Sequence, residues 1–268
     1  MKKVILITGS TDGIGKNTAR ILASQGHKII LHGRSEDKCL SARKELLSEN
    51  PKAEVDFASG DLSSMKQTAR LADTVMKKTD RLDVLLNNAG VFMNEKKLSE
   101  DGFELSFAVN HLAHFLLTMR LLDFLKKNSG FRIVNLSSVA HRNGVFDPEN
   151  LQAEKNFTGY GAYALSKLAN ILFTMELSEK IKGKGTSNCM HPGVIGTKLL
   201  KTGFNMSGGT LDEGSDNSVY LSVSPEVQEI TGKYFVKREV SPVNPKLIPK
   251  EHRKQLWEIS EKMTSEFL

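Results

Sequence analysis

With 268 residues the chain can bury one large core, and its 39% hydrophobic and 25% charged content is that of a soluble globular protein. The formal net charge of +6 is mildly basic, but no run of five or six Lys/Arg marks a nucleic-acid or membrane-surface patch. Cys39 and Cys189 stand far apart without a CxxC partner, which argues against a disulfide framework or a cysteine zinc site and for a reducing compartment.

No stretch approaches the ~18 apolar residues of a membrane span. An apolar strand begins by Val4, leaving no room for a signal peptide before it. A cytoplasmic protein is the expectation, with no nucleic-acid partner and no membrane span. No repeat, low-complexity segment or linker divides the chain. Residues 1–268 therefore read as a single domain, with a nucleotide-binding half to about residue 135 and a catalytic and substrate-pocket half from about residue 136.

Lys3–Thr8 is an apolar, β-branched run of strand length. Gly9-Ser10-Thr11-Asp12-Gly13-Ile14-Gly15 follows, then a helical pattern through Ala19, Ile21, Leu22 and Ala23. Strand, glycine turn and helix present free backbone N–H groups and the positive helix end to a phosphate. Lys28–His32 reads as the second strand and runs into Gly33-Arg34-Ser35, with Lys38 one turn on. In dinucleotide folds an acidic residue at this strand end binds the ribose of NAD, whereas a nearby Arg accommodates the 2′-phosphate of NADP. No Asp or Glu stands at the strand end. Arg34 offers a planar fork, and Ser35 both a helix cap and a donor, so NADP(H) is expected over NAD(H). Asp12, inside the glycine turn, is an awkward neighbour for a phosphate.

Residues 36–48 read as a helix stopped by Asn50-Pro51, and Glu54–Phe57 as a short third strand. In Gly60-Asp61-Leu62-Ser63, Asp61 either bonds an adenine amino group or helps cap the next helix. Leu82–Leu86 is the fourth strand and ends in Asn87-Asn88-Ala89-Gly90. Two amides and two tiny residues suit close contact with a ligand at the edge where open α/β sheets bind. Asp101–Lys127 is mainly helical. Within it, Asn110 either marks a helix distortion that holds a water or lies on a polar face. The histidines, His111 and His114 included, form no convincing metal cluster and are expected at the surface or one layer behind the site.

Phe131–Leu136 is the fifth strand, with Ser137-Ser138 at its end; one of these hydroxyls is placed to donate to a carbonyl oxygen. The absence of a G-x-S-x-G elbow disfavours serine hydrolysis. His141–Gly159 reads as a long polar loop. The following helix, to about Lys182, carries Tyr163 and Lys167 at i and i+4, so a phenol and an ammonium share a face. A free tyrosine, with a pKa near ~10, is a poor acid-base catalyst at neutral pH, and a close cation lowers that value.

Thr186–Met190 is the sixth strand. Pro192 and Gly193 set a rigid turn after it, and Thr197 offers a hydroxyl to a bound ring amide. Residues 198–211 show no clear periodicity and fit either a mobile apolar lid or an ordinary surface loop. Lys233–Val236 is a seventh strand, and Gln255–Met263 an amphipathic helix expected to wall the substrate side. The apolar helices around 104–127 and 160–181 are candidates for pairing in a homodimer.

Thr8-Gly9-x-x-x-Gly13-x-Gly15, Asn87-Asn88-Ala89-Gly90, Asn110, Ser138, Tyr163-x-x-x-Lys167 and Pro192-Gly193 together resemble the short-chain dehydrogenase/reductase family, in the family's order and over Lys3 to about Phe235. Val109-Asn110-His111-Leu112-x-His114-Phe115, Ser166-Lys167-Leu168-Ala169-Asn170 and His191-Pro192-Gly193-Val194 are similar to its retinol-dehydrogenase-like branch. The resemblance implies an α/β fold: a single Rossmann-type doubly wound parallel sheet of about seven strands, ordered 3-2-1-4-5-6-7, with helices on both faces. It implies hydride transfer between NADP(H) and a small apolar carbonyl or alcohol, such as a retinoid, steroid or fatty aldehyde.

In that scheme Tyr163 is the acid in reduction and the base in oxidation. Lys167 bonds the nicotinamide ribose and lowers the Tyr163 pKa, Ser138 polarises the carbonyl, and Asn110 holds a water in a proton relay. The implied cofactor contacts are Gly9, Ser10, Thr11, Gly13, Ile14, Gly15, Arg34, Ser35, Asp61, Leu62, Asn88, Ala89, Gly90, Tyr163, Lys167, Pro192, Gly193, Val194 and Thr197. The alternative is a non-catalytic NADP(H)-binding sensor or interaction protein on the same fold. An incomplete Ser/Tyr/Lys set would favour it, and here the set is complete. An epimerase or dehydratase relative is disfavoured by the glycine spacing.

Overall fold

The computed structural model describes residues 1–268. Val4–Ile7 (β1), Lys28–Gly33 (β2), Val55–Ser59 (β3), Val84–Asn87 (β4), Phe131–Leu136 (β5), Gly185–His191 (β6), Tyr234–Val236 (β7) and Glu239–Val240 (β8) form one sheet, ordered β3-β2-β1-β4-β5-β6-β7-β8. All pairings are parallel except β7 with β8. Ile5–Ile7, Ile29–Leu31 and Val84–Leu86 are fully buried. Strands covered on both faces read as unbroken apolar runs, which is why the sequence marks them so clearly. The expected doubly wound sheet is present with one strand more. The addition, β8, is a pair of exposed residues reached through Lys237 and Arg238, whose φ values of 50° and 65° make a tight reversal.

The helices are Gly13–Ser24 (α1), Glu36–Glu49 (α2), Met65–Lys78 (α3), Leu105–Phe107 (α4), Ala113–Leu125 (α5), Gly159–Lys180 (α6), Lys198–Phe204 (α7), Leu211–Val223 (α8) and Lys250–Thr264 (α9). Side chains alternate across β1: Ile5 and Ile7 join a core with α1, α2 and α8, and Leu6 joins one with α3, α5 and α6. The order in which the chain adds strands reverses between β1 and β4. That switch point opens a crevice at the strands' C-terminal ends, where the glycine turn, the Asn-Asn-Ala-Gly segment and Ser138 all emerge.

Helix α8 has no counterpart in the sequence reading, although Thr210 and Glu213 form a complete capping box at its start. Residues 198–211 are not wholly aperiodic, because Thr197 caps the short α7. Helix α9 does not wall the substrate side. Its Trp257 stacks on Phe173 at 5.9 Å and meets Phe115 edge-on at 5.1 Å, in the core under α5 and α6. The helix faces considered for subunit pairing are therefore covered in part by the chain's own C-terminal helix. Leu105–Leu125 is long and apolar enough to cross a membrane, which corrects the expectation that no such stretch exists; 83% of its apolar window is buried inside the fold.

Candidate active site

One cavity of about 750 Å³ runs along the switch point, from Arg34 and Asp61 at one end to Tyr160, Phe204 and Met206 at the other. The glycine turn forms its floor. Gly9 sits at φ +64°, and a Cβ there would come within 2.9 Å of the Ala89 Cα. At Gly15 a Cβ would lie 2.4 Å from both the Gly9 carbonyl oxygen and Asn88 Nδ2. The turn, the start of α1 and the end of β4 thus nest with no space for side chains between them, leaving backbone N–H groups to face the cavity. Thr8 ties the layers: its hydroxyl accepts from Asn88 N at 2.9 Å and Ala89 N at 3.0 Å, and its carbonyl accepts from Asn88 Nδ2 at 2.7 Å.

Gly9, Thr11, Gly13, Ile14, Gly15, Arg34, Asp61, Leu62, Asn88, Ala89, Gly90, Pro192, Gly193, Val194 and Thr197 all line the cavity. Two expected contacts do not. Ser10 is fully buried, its hydroxyl donating to the Ile7 carbonyl at 2.8 Å and accepting from His32 N at 2.9 Å. Ser35 lies outside the lining and caps α2, accepting from Lys38 N, which leaves its hydroxyl proton to donate. Asp61 uses its carboxylate in a turn, accepting from Ser63 N at 2.9 Å, and still borders the cavity. Asp12 is compensated on both sides. It caps α1 through Gly13 N and pairs with Lys198, which holds its carboxyl below the usual range. Thr197 offers its hydroxyl oxygen to Leu200 N at 3.3 Å as the cap of α7.

Tyr163 and Lys167 meet at the middle of the cavity. The Lys167 ammonium lies 5.5 Å from the Tyr163 ring centroid and donates to the Leu136 carbonyl at 3.2 Å. Burial lowers the Lys167 pKa to about 8. It also pushes the Tyr163 phenol up to about 12; the Ser138 hydroxyl beside it pulls the other way and Tyr160 adds to the rise. Burial, and not the Lys167 neighbour, sets the direction in the free chain. The ammonium sits at the ring face and on a carbonyl, and desolvation of the phenolate is the largest effect on the phenol.

The choice between the two serines is decided by direction. Ser137 turns inward and donates to the Lys167 carbonyl at 2.7 Å, while Ser138 is half-buried and faces Tyr163. Asn110 does distort its helix: Ala108–Leu112 is a π-helical turn between α4 and α5. Its side chain does not reach the cavity. It accepts from Val91 N at 2.7 Å and donates to the Val91 carbonyl at 3.0 Å and to Ser166 Oγ at 2.9 Å. Asn110 is thus a clamp on the strand end beside Gly90 and not a lining residue. His111 and His114 are fully buried one layer behind the site, the second of the two expected placements.

Several contributors went unread in the sequence. Phe92 packs on Tyr163 with ring centroids at 5.5 Å, and on Phe204 of α7 at 4.7 Å. His141 holds the Ser138 carbonyl at 2.7 Å through Nδ1. No periodicity or motif flags such neighbours, because contact across the cavity is set by tertiary packing.

A phosphate-type glycine turn, a switch-point crevice and a Tyr–Lys pair with a flanking serine define a nucleotide-dependent oxidoreductase class. The pattern of the short chain dehydrogenase family matches residues 3–207. Retinol dehydrogenase 13 of Homo sapiens is 39% identical over 95% of this chain and 82% of its own length, and human retinol dehydrogenase 12 is 37% identical over 96% and 85%. Among solved structures, an uncharacterised protein of Mycobacterium paratuberculosis superposes with a TM-score of 0.81 at 29% identity, over 98% of this chain and 93% of that one. A short chain dehydrogenase of Escherichia coli CFT073 complexed with NADPH gives 0.73 at 26%, over 87% and 95%. The chain belongs to the short-chain dehydrogenase family and is retinol-dehydrogenase-like.

Proposed function

We propose that this protein is an NADP(H)-dependent oxidoreductase acting on an apolar carbonyl or alcohol, with Tyr163 as its general acid and base. The observation that carries the reading is the convergence of Ser138, Tyr163 and Lys167 in one cavity between a glycine cradle and an apolar chamber. The cradle fits a dinucleotide: the glycine contacts leave no space for side chains, and Arg34 with Lys38 borders the end where a 2′-phosphate would lie. A solved relative complexed with NADPH supports the same choice. The nicotinamide, when bound, supplies or takes up the hydride.

The chain's own groups handle the proton. Ser138 donates to the carbonyl oxygen and orients it. Tyr163 is protonated at neutral pH in the free chain, so it rests in the form needed to give a proton to a developing alkoxide. Proton donation of this kind is typically worth ~10²–10⁴-fold. The phenolate left behind gains from the Lys167 ammonium under its ring. Leu105, Val109, Leu199, Leu200 and Phe204 line the chamber beyond, which suits an apolar substrate and keeps water from the phenol.

The test follows NADPH consumption with aldehydes and ketones of graded apolar bulk. Tyr163→Phe is expected to abolish turnover while NADPH binding persists. Turnover that survives this substitution would remove Tyr163 from the mechanism, and binding without turnover across the whole panel would point to a sensor instead.

A further inference from the structure

We propose that Asn170, one turn beyond Lys167 on α6, is a positioning residue that sets the catalytic lysine through a carbonyl the two share. The proposal rests on the Tyr163–Lys167 reading above. Asn170 is 1% exposed. Its Nδ2 donates to the Leu136 carbonyl at 3.0 Å and to the Asn110 carbonyl at 2.9 Å. The Leu136 carbonyl is also the acceptor for Lys167 Nζ, at 3.2 Å. An amide nitrogen has two hydrogens, and both are used here.

The amide's orientation is fixed by its surroundings. Both acceptors are carbonyls, so the NH₂ must face them, leaving Oδ1 toward His111 Nδ1 at 3.4 Å. Burial lowers the His111 pKa to about 4, so the ring is neutral at physiological pH and carries one proton. That proton belongs on Nδ1, where Asn170 needs a donor, and Nε2 then accepts from Ser260 Oγ at 2.8 Å. Ser260 lies on α9, so the C-terminal helix holds the far end of the chain of bonds.

A second branch pins the Asn110 carbonyl. Thr8 Oγ1 accepts from two backbone N–H groups, and its own proton faces both the Leu86 carbonyl at 3.4 Å and His114 Nε2 at 3.1 Å. His114 Nδ1 then donates to the Asn110 carbonyl at 3.1 Å. Two side-chain donors, from Asn170 and His114, converge on that oxygen. Asn110 and the lysine are thereby linked through the Asn170 amide and the Leu136 carbonyl.

Because Leu136 O serves two donors, removal of one changes what the other experiences. Asn170→Ala frees the carbonyl for the ammonium and opens space for water, and both effects favour the charged lysine. A merely structural amide would cost stability and leave the lysine's titration alone.

The deciding measurement is an NMR titration of the lysine ammonium groups in the free protein, with Lys167 identified by its loss in Lys167→Met. It does not depend on the protein being an enzyme, so it can fail while the functional reading stands, and the reverse. In Asn170→Ala the Lys167 midpoint is expected to rise by roughly half a pH unit or more. In turnover, kcat is expected to fall on the order of 10- to 100-fold with NADPH affinity nearly unchanged, as for a misplaced reacting group. Asn170→Ser, which keeps a donor at the site, is expected to lie between the two and replaces Asn170→Ala if that variant does not fold. Leu177→Ala, a core truncation on the same helix, controls for lost stability. The proposal is overturned if the Lys167 midpoint stays at its wild-type value, or if kcat falls no further than in Leu177→Ala at equal folded fraction.

Discussion

Gly15 is the most exacting position of the nucleotide cradle, and Gly15→Ala tests it cleanly because the residue lies in α1, where alanine is otherwise preferred. The added methyl would lie 2.4 Å from the Gly9 carbonyl oxygen and from Asn88 Nδ2, where ordinary contact begins near 3.4 Å. Neither neighbour yields freely: Gly9 is in the left-handed turn, and Asn88 Nδ2 is bonded to the Thr8 carbonyl. Overpacking of this sort costs ~1–3 kcal/mol, and loss of the Asn88 bond about 1 more. The helix regains about 1 kcal/mol from alanine, so a net loss of about 1–3 kcal/mol is expected.

The same displacement moves the backbone N–H groups that face the cavity. NADPH affinity should therefore drop by about tenfold for each ~1.4 kcal/mol felt at the site. Urea unfolding and an NADPH fluorescence titration read the two effects separately. Gly26→Ala is the control: φ is +84° with open space around the Cβ, so only stability should suffer. Wild-type stability together with wild-type NADPH affinity in Gly15→Ala would refute the cradle geometry.

Arg34→Ala is expected to weaken NADPH binding and leave NADH nearly unaffected, because the guanidinium is the group suited to a 2′-phosphate; an unchanged cofactor preference would remove Arg34 from the argument. Stability should also fall on acidification. Burial holds His32, His111 and His191 at about 4 and His114 at about 3, from 6.5 in an unfolded chain. Between those values the unfolded state binds more protons, so this stabilisation is fully present above pH 6.5 and is lost as pH drops toward 4. Urea midpoints measured from pH 7 down to pH 5 should decline steadily, and a flat series would contradict the buried neutral rings.

Much of the architecture was legible because local rules and the global fold agree. The unbroken apolar runs of β1, β2 and β4 announce strands buried on both faces. The glycine turn between β1 and α1, and the i, i+4 spacing of Tyr163 and Lys167, are local patterns whose geometry follows from the backbone alone. Even the π-helical turn at Asn110 was signalled by an amide in a helical run. Helix α8 escaped because its buried face is built mostly from small and polar residues (Gly214, Ser215, Asn217, Ser218 and Ser222 beside Leu221), which show no apolar period, and β8 because two exposed residues carry no alternation.

Other features belong to the tertiary structure, since they depend on which surfaces meet. Packing of α9 on α5 and α6 turned an expected pocket wall into core, with Trp257 against Phe115 and Phe173. The direction of each hydroxyl separated Ser138 from Ser137, and full burial turned Ser10 from a ligand contact into a strand-end brace. The strand–turn–helix cradle and the phenol–ammonium pair follow from local patterns of residues alone. Desolvation depends on everything packed around a group, so the raised Tyr163 pKa belongs to the folded chain.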